Sequence, residues 1–424
     1  MSEKQATRTV STLAEGIIGS EIIKLAGEVN EKIRQGEHIY NLTIGDFNPK
    51  IFPIPQELTD GIVKAYQNHE TNYPPGDGML SLREAVSGLL KKKGKLEYAT
   101  DEIVITGGGR PAIYAVFRTV VDAGESVIFP VPSWNNNHYT YLNDARPIAV
   151  ETRPENNFMP TAEELAPHIS EAALLALCSP LNPTGTVFTK EGLQEICSLV
   201  LAENEKRAAE GRKPLYVLYD QIYWALTHGV EHVDPVTTDP KMRPYTLFVD
   251  GISKSLAATG VRVGWTFGPK AIIDKMKSVL SHIGAWAPRA EQIAAAHFLA
   301  DSQAYDKAIS EINHKLSDRL NGFYTGFKKL QEEGYPIEVI APEAAMYLTV
   351  KFNLTGRKNG DELISDTRGV THFLLEKAKV AIVPFYAFGA SEDSTWYRLS
   401  VGTCSMEDVP DVVASLRRAM DGLS

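Results

Sequence analysis

Cysteine is scarce in this sequence. There are three, Cys178, Cys197 and Cys404, with no CxxC pair among them. So sparse and odd a set excludes a disulfide framework and a zinc site of the usual spacing, and it fits a reducing compartment. Long apolar runs are missing too, since no stretch approaches the roughly 20 residues that cross a bilayer. Met1 to Ala14 is polar and mixed in charge and lacks the apolar core of a secretory signal. These absences predict a cytoplasmic protein without a membrane partner. An excess of positive charge is also absent. The 43 basic and 53 acidic residues leave a net charge of −10, which argues against nucleic acid and against an anionic membrane. A small anionic ligand stays open, because a site needs only a few local cations. The histidines show no metal-ligand spacing, so no metal is expected, and there is no internal repeat or low-complexity tract.

What is present is ordinary for a globular protein: 424 residues, 43% hydrophobic and 23% charged. Length alone suggests about two or three domains. Ser20 is a candidate N-cap for a helix carrying Ile22, Leu25, Ala26, Val29 and Ile33, closed by Gly36. Ile39–Ile44 reads as a strand. Ser81-Leu-Arg-Glu84 has the spacing of a capping box and predicts a helix start there. From Ile103 onward, short apolar runs alternate with helical periodicity: Ile103–Ile105, Val127–Phe129, Leu174–Cys178, Leu215–Tyr219 and Thr246–Val249 as strands, with helices following several of them. That alternation predicts an α/β fold with a mostly parallel sheet. In such sheets ligands bind beyond the carboxyl ends of the strands, and Gly108, Trp134, Asn182, Asp220 and Lys254 fall there. Beyond about residue 287 the pattern changes to long helices, including 304–330, with short strands at 346–350, 380–383 and 397–401. The expected division is a large α/β domain over 51–300 and a smaller α+β domain made of 1–50 and 301–424.

The chain is organised around Val249-Asp-Gly-Ile-Ser-Lys-Ser-Leu-Ala-Ala-Thr-Gly-Val-Arg-Val-Gly-Trp265. A strand delivers one lysine, Lys254, into a loop of small residues, with Arg262 eight positions on. A lysine amine becomes a useful nucleophile when desolvation or a nearby cation lowers its pKa. Ser253-Lys254-Ser255 is not the end of a phosphate-binding P-loop, because the required glycines do not precede it. Thr106-Gly-Gly-Gly-Arg110, between a strand and a helix, is an arrangement that suits a phosphate: backbone N–H groups point outward and the helix dipole favours negative charge.

Asn182-Pro-Thr-Gly185, Asp220-Gln-Ile-Tyr223, and Ser253-Lys254 with Thr259-Gly-Val-Arg262 occur in order. In these motifs the chain resembles the class I/II pyridoxal-phosphate-dependent aminotransferases of fold type I, near their aspartate aminotransferase branch. The resemblance runs from about Gly45 to Arg398. It implies a seven-stranded-type large-domain sheet, pyridoxal 5'-phosphate as cofactor, L-amino acid and 2-oxo acid substrates, and a homodimer with shared sites. Lys254 then matches the lysine that holds the cofactor as a Schiff base and later carries the proton at the substrate's Cα. Asp220 matches the acid facing the pyridine nitrogen. Tyr223 and Asn182 match donors to the phenolic oxygen, and Trp134 the aromatic that stacks on the ring. Gly108, Gly109, Ser253 and Arg262 match the phosphate site, with Tyr73 reaching it across the dimer. Arg398 matches the clamp on the substrate's α-carboxylate, with Gly45 assisting. One bacterial branch carries, after the Gly-Gly loop, a lysine that pairs with the substrate's distal carboxylate. Arg110 stands there, which predicts aspartate or glutamate as substrate; the alternative is that it only adds charge near the phosphate.

The chain also departs from the family. Gln221 replaces the usual acid after Asp220, and Val261 the usual aromatic before the phosphate arginine. Ala344-Ala-Met-Tyr347 and Pro384-Phe-Tyr-Ala-Phe388 differ on the substrate side. The same scaffold and lysine serve C–S lyases and decarboxylases, so those remain alternatives for the bond that breaks. A regulator with an added N-terminal DNA-binding domain and a nucleotide-binding α/β protein both fit less well, the second because it offers no role for Lys254 or Asp220.

Overall fold

The computed structural model describes residues 9–19 and 21–424; the candidate cap Ser20 lies outside them. Its main sheet has seven strands: β1 Ile103–Thr106, β2 Ser126–Val131, β3 Arg146–Glu151, β4 Ala172–Cys178, β5 Tyr216–Asp220, β6 Thr246–Gly251 and β7 Gly264–Phe267. Their spatial order is β1-β7-β6-β5-β4-β2-β3. All neighbours run parallel except β7, which is antiparallel to both β1 and β6. The expected α/β architecture is therefore present. Strands β1, β2 and β6 are buried along their whole length, as a sheet covered by helices on both faces requires. Edge strand β3, Arg-Pro-Ile-Ala-Val-Glu, escaped the sequence reading because its side chains are mostly exposed and carry no apolar run.

A second sheet is antiparallel throughout. Its strands are β8 Ile337–Val339, β9 Tyr347–Phe352, β10 Val383–Pro384 and β11 Trp396–Ser400, in the order β10-β11-β9-β8. The 31-residue helix Ser302–Glu332 lays Leu316, Leu320, Phe323 and Phe327 on this sheet's core. Leu42, Phe47 and Phe52, from the start of the chain, join the same core.

Three local expectations need correction. Only Tyr40–Asn41 of the expected strand 39–44 pairs, with Val380–Ala381. Leu42 O still accepts from the backbone N–H of Ser400 at 2.9 Å, but beyond it carbonyls go to side chains: Thr43 O accepts from Arg398 at 2.6 Å and Ile44 O from Ser400 Oγ at 2.7 Å. The run 380–383 splits between that pair and the second sheet. The capping box at Ser81 does not form, because the helix already begins at Leu80 after Met79. Met79 N donates instead to Gln292 Oε1 at 2.8 Å, a partner 213 positions away.

At the centre of the main sheet Phe248 stacks on Phe267, with ring centres 4.6 Å apart and planes at 7°, and Tyr98 and Tyr219 meet it edge-on. Phe248→Ala should cost about 3–5 kcal/mol of unfolding free energy, read from urea unfolding; a loss below about 1 kcal/mol would mean that the cluster closes around the gap.

Candidate active site

Beyond the carboxyl ends of β4, β5 and β6 lies a cavity of about 550 Å³. Its wall brings together Gly45, Gly109, Arg110, Trp134, Asn182, Asp220, Tyr223, Ser253, Lys254, Arg262 and Arg398, all singled out from the sequence. A larger cleft of about 680 Å³ lies beyond Gln221, lined by Trp224, His232 and Tyr305. It holds none of these residues, so the chemistry belongs to the smaller cavity.

Lys254 sits in a single helical turn, Ile252–Ser255, directly after β6. Its amine donates to Gly45 O at 2.6 Å. The side chain keeps some exposure to the cavity, while protein surrounds the amine. Burial, aided by Arg398, Arg110 and Arg262 and opposed by Asp46, lowers its pKa from 10.5 to about 8. Asp220 ends β5 and accepts from Ile222 N at 3.1 Å. Burial raises its pKa from 3.8 to about 6, with that N–H partly offsetting the effect. None of the ion pairs formed among the described residues involves it.

Arg398, on β11, is 2% exposed. It donates to Asn182 Oδ1 at 3.0 Å and to Thr43 O at 2.6 Å, and its Nε is buried without a partner. The rings of Tyr347 and Phe388 each lie 4.8 Å from its guanidinium carbon. The phenols of Tyr223 and Tyr347 share a 2.6 Å hydrogen bond. Arg110 is exposed at the mouth, 5.4 Å from the centre of the Trp134 ring.

Glycine is required at two places here. Gly108, at φ +91°, caps the helix Gly109–Val120, and a Cβ there would lie 2.4 Å from Arg262 Nη2. A Cβ on Gly264 would meet the Gly108 backbone at 2.7 Å. The helix N-terminus is thus pressed against the sheet, and Arg262 is tied beside it by bonds to Gly107 O at 2.7 Å and Thr259 O at 2.8 Å.

Two sequence-predicted residues stand apart. Gly108 lies behind the cavity wall and Tyr73 outside it, the latter 81% exposed with its ring 5.3 Å from Trp286. Other lining residues were not singled out as site residues: Asp46, Cys178 and Tyr347. Tyr347 lies in a loop that departs from the family pattern, and Asp46 follows Gly45, so position was the available signal for each. Of the departures, Gln221 is buried with its Oε1 unpartnered and faces the other cleft, and Val261 packs on the main core.

These residues fit pyridoxal phosphate. A carboxylate without a protein cation suits a protonated ring nitrogen, and a helix N-terminus with an anchored arginine suits a phosphate. An amine with a lowered pKa suits condensation with an aldehyde. A buried guanidinium with two of its five N–H groups engaged and its Nε unpartnered suits a carboxylate.

The lowered pKa of Lys254 carries a stability signature. Between about pH 8 and 10.5 the unfolded chain holds its proton while the folded one releases it, so this group makes stability rise with pH across that window and imposes its full cost below it. Cofactor-free Lys254→Met should therefore be more stable than the cofactor-free parent at pH 7, with the gap in urea midpoint closing as pH rises through the window. A gap that does not change with pH would contradict the burial of that charge.

Comparison with known proteins agrees with this geometry. The profile of the family described as aminotransferase class I and II matches residues 37–416. An aspartate aminotransferase of Geobacillus stearothermophilus is 29% identical over 411 residues, covering 95% of this chain and 96% of that one. The crystal structure of the aspartate aminotransferase from Rhizobium meliloti is similar with a TM-score of 0.89 at 25% identity, covering 98% and 100% of the two chains. The Thermus thermophilus aspartate aminotransferase with maleate is similar with a TM-score of 0.85 at 26% identity, covering 97% and 100%. With a family match over nearly its whole length and a site that suits the cofactor, this chain belongs to the class I and II aminotransferases and is a pyridoxal-phosphate-dependent enzyme.

Proposed function

We propose that this aminotransferase acts on dicarboxylic L-amino acids, aspartate and glutamate, and on the matching 2-oxo acids. The observation that carries this reading is a cavity holding two arginines, Arg398 on its floor and Arg110 at its mouth, neither paired with a carboxylate among the described residues. Two carboxylates on one substrate would answer them. The maleate bound to the Thermus relative is itself a dicarboxylate.

When bound, the cofactor supplies an aldehyde carbon for amine condensation and a ring that accepts the electrons released at the substrate's Cα. Lys254 would hold that carbon until substrate arrives, and its freed amine would then take the proton from Cα and return it at that same cofactor carbon, on the far side of the substrate nitrogen; an amine with a pKa of about 8 can do both close to neutral pH. Asp220 keeps the ring nitrogen protonated. Between them the Tyr223 and Tyr347 hydroxyls have one hydrogen bond to share, which leaves a second proton to donate to the phenolic oxygen, with Asn182 beside it. Ser253, Arg262 and the N–H of Gly109 would hold the phosphate, with Gly108 shaping the turn behind them, and Trp134 would give the ring a flat wall. Arg398 clamps the α-carboxylate in the bidentate fashion its fork allows, with the Gly45 backbone alongside.

We place Tyr73 in the site of a second copy. Its exposure, and its pairing with Trp286 at the surface, support a homodimer with shared sites. Separate cores on the main sheet and on the second sheet support a division near residues 51 and 300. Three free thiols support a cytoplasmic setting; no helix among the described residues is long and apolar enough to cross a membrane.

Arg110→Ala should lower kcat/KM for aspartate about ten- to hundredfold, as loss of a charged hydrogen bond implies, and leave an apolar amino acid nearly unaffected. Equal losses on both would remove the selectivity role. For the dimer, Tyr73→Ala and Lys254→Met should each be weak alone and regain activity on mixing, through hybrid dimers with one intact site. No recovery, or a monomer in sedimentation, would rule out sharing.

A further inference from the structure

Apart from Asp220, the cavity has one acidic residue, and nothing above gives it a task. Asp46 lines the wall immediately after Gly45. Its Oδ1 accepts from Thr259 Oγ1 at 2.7 Å and from Phe47 N at 2.8 Å. Both bonds go to the same oxygen, so the side chain is fixed while Oδ2 takes no hydrogen bond from any described residue. Among the described residues, no lysine or arginine forms an ion pair with it. A half-buried carboxylate held from one side, with a free oxygen in a cavity that also holds Arg110, Arg262 and Arg398, calls for a cationic partner.

The chemistry of the site says what that partner is. The nitrogen of an incoming amino acid must reach the carbon that Lys254 holds, so it must come to where the Lys254 amine sits. Whatever stabilises positive charge on that amine therefore stabilises it on the substrate's nitrogen. The charged groups that act on Lys254 are Asp46, Arg398, Arg110 and Arg262, and the carboxylate alone favours the cation. The other close groups are the rings of Phe47 and Tyr223, centred 5.9 and 5.8 Å from the amine. Gly45 joins the two halves of the arrangement: its carbonyl accepts from Lys254, and a Cβ on it would lie 3.5 Å from Arg398 Nη1.

We propose that Asp46 binds the α-ammonium group of the incoming amino acid while Arg398 binds its α-carboxylate, so that the cavity takes up substrate as a zwitterion. This rests on the roles given above to Lys254 and Arg398. It has an asymmetric consequence. A 2-oxo acid carries a carbonyl oxygen with partial negative charge in place of the ammonium, so Asp46 aids the amino-acid half of the reaction and gives nothing to the other half.

The test compares cofactor-loaded wild type with Asp46→Asn. The probes are 2-methylaspartate, which carries the ammonium but has no Cα proton to lose, and succinate, which has the two carboxylates and no nitrogen. By calorimetry the variant should bind 2-methylaspartate about tenfold or more weakly, the scale of one lost charged hydrogen bond, with succinate within about threefold. In steady state the KM of the amino acid should rise with that of the 2-oxo acid unchanged, and Asp46→Glu should recover most of the loss. Equal weakening of both probes, which a merely structural role would produce, or no weakening of either, overturns the proposal. Asp46→Ser, which keeps a hydroxyl for Thr259 and loses the charge, replaces the asparagine variant if that one does not load cofactor. The kinetic contrast is read on whichever amino and oxo acid pair the wild type turns over. A wrong substrate class thus shows in the wild type, and a wrong role for Asp46 in the variant.

Discussion

Three charged groups that line the cavity, Lys254, Asp220 and Arg398, are held without an ion pair among the described residues, and much of the structure around them serves to keep them there. Taking one ion out of water costs several kcal/mol even after relaxation. The cost is visible in the directions each group is pushed: the lysine and arginine down, the aspartate up, with burial the largest cause in every case. A chain that gained only stability would pair or replace them. This one surrounds them with aromatic and aliphatic cores on the main sheet and on the second sheet. The unpaired charges are then free to be matched by ligand: a ring nitrogen, an aldehyde carbon and a carboxylate.

Holding charges at fixed separations needs rigid support, and the backbone provides it by close approach. Side chains on Gly251 and Gly264 would each collide with the neighbouring segment at 2.7–2.8 Å. Without them, β6, β7 and the turn before Gly109–Val120 come within contact of one another. The lysine turn and the N-terminal end of the helix Gly109–Val120 are therefore fixed to one another through the sheet rather than through loops. Arg262, at φ +62°, accepts a strained backbone to reach Gly107. Strain of that kind persists where the surroundings over-determine it, and here three glycines and two hydrogen bonds do so.

What could be read in advance follows from distance along the chain. Strands β4, β5 and β6 are continuous apolar runs, and the residues that follow them carry compact motifs, so the sheet, Lys254, Asp220 and Asn182 were legible. Edge strand β3 was not, because an exposed edge leaves no apolar signature. The capping box at Ser81 misled because a glutamine more than two hundred positions away holds the helix start first. Asp46 and Tyr347 had only their positions beside noted segments as a signal. Each becomes part of the site when the start of the chain and the second sheet close over the lysine, through contacts such as Gly45 to Lys254 and Tyr223 to Tyr347.

Those late-joining residues come from the part of the chain that packs with the second sheet, and they meet the main-sheet residues across the cavity. Lys254, Asp220 and the phosphate-binding end of Gly109–Val120 all stand on the main sheet. Arg398, Gly45, Asp46 and Tyr347 come from the other side. Most of the groups proposed for the cofactor thus stand on the main sheet and most of those proposed for the substrate come from the other side; Arg110, on the main-sheet helix, and Tyr347, bonded to Tyr223, cross that division. The family departures at 344–347 and 384–388 fall on that second side.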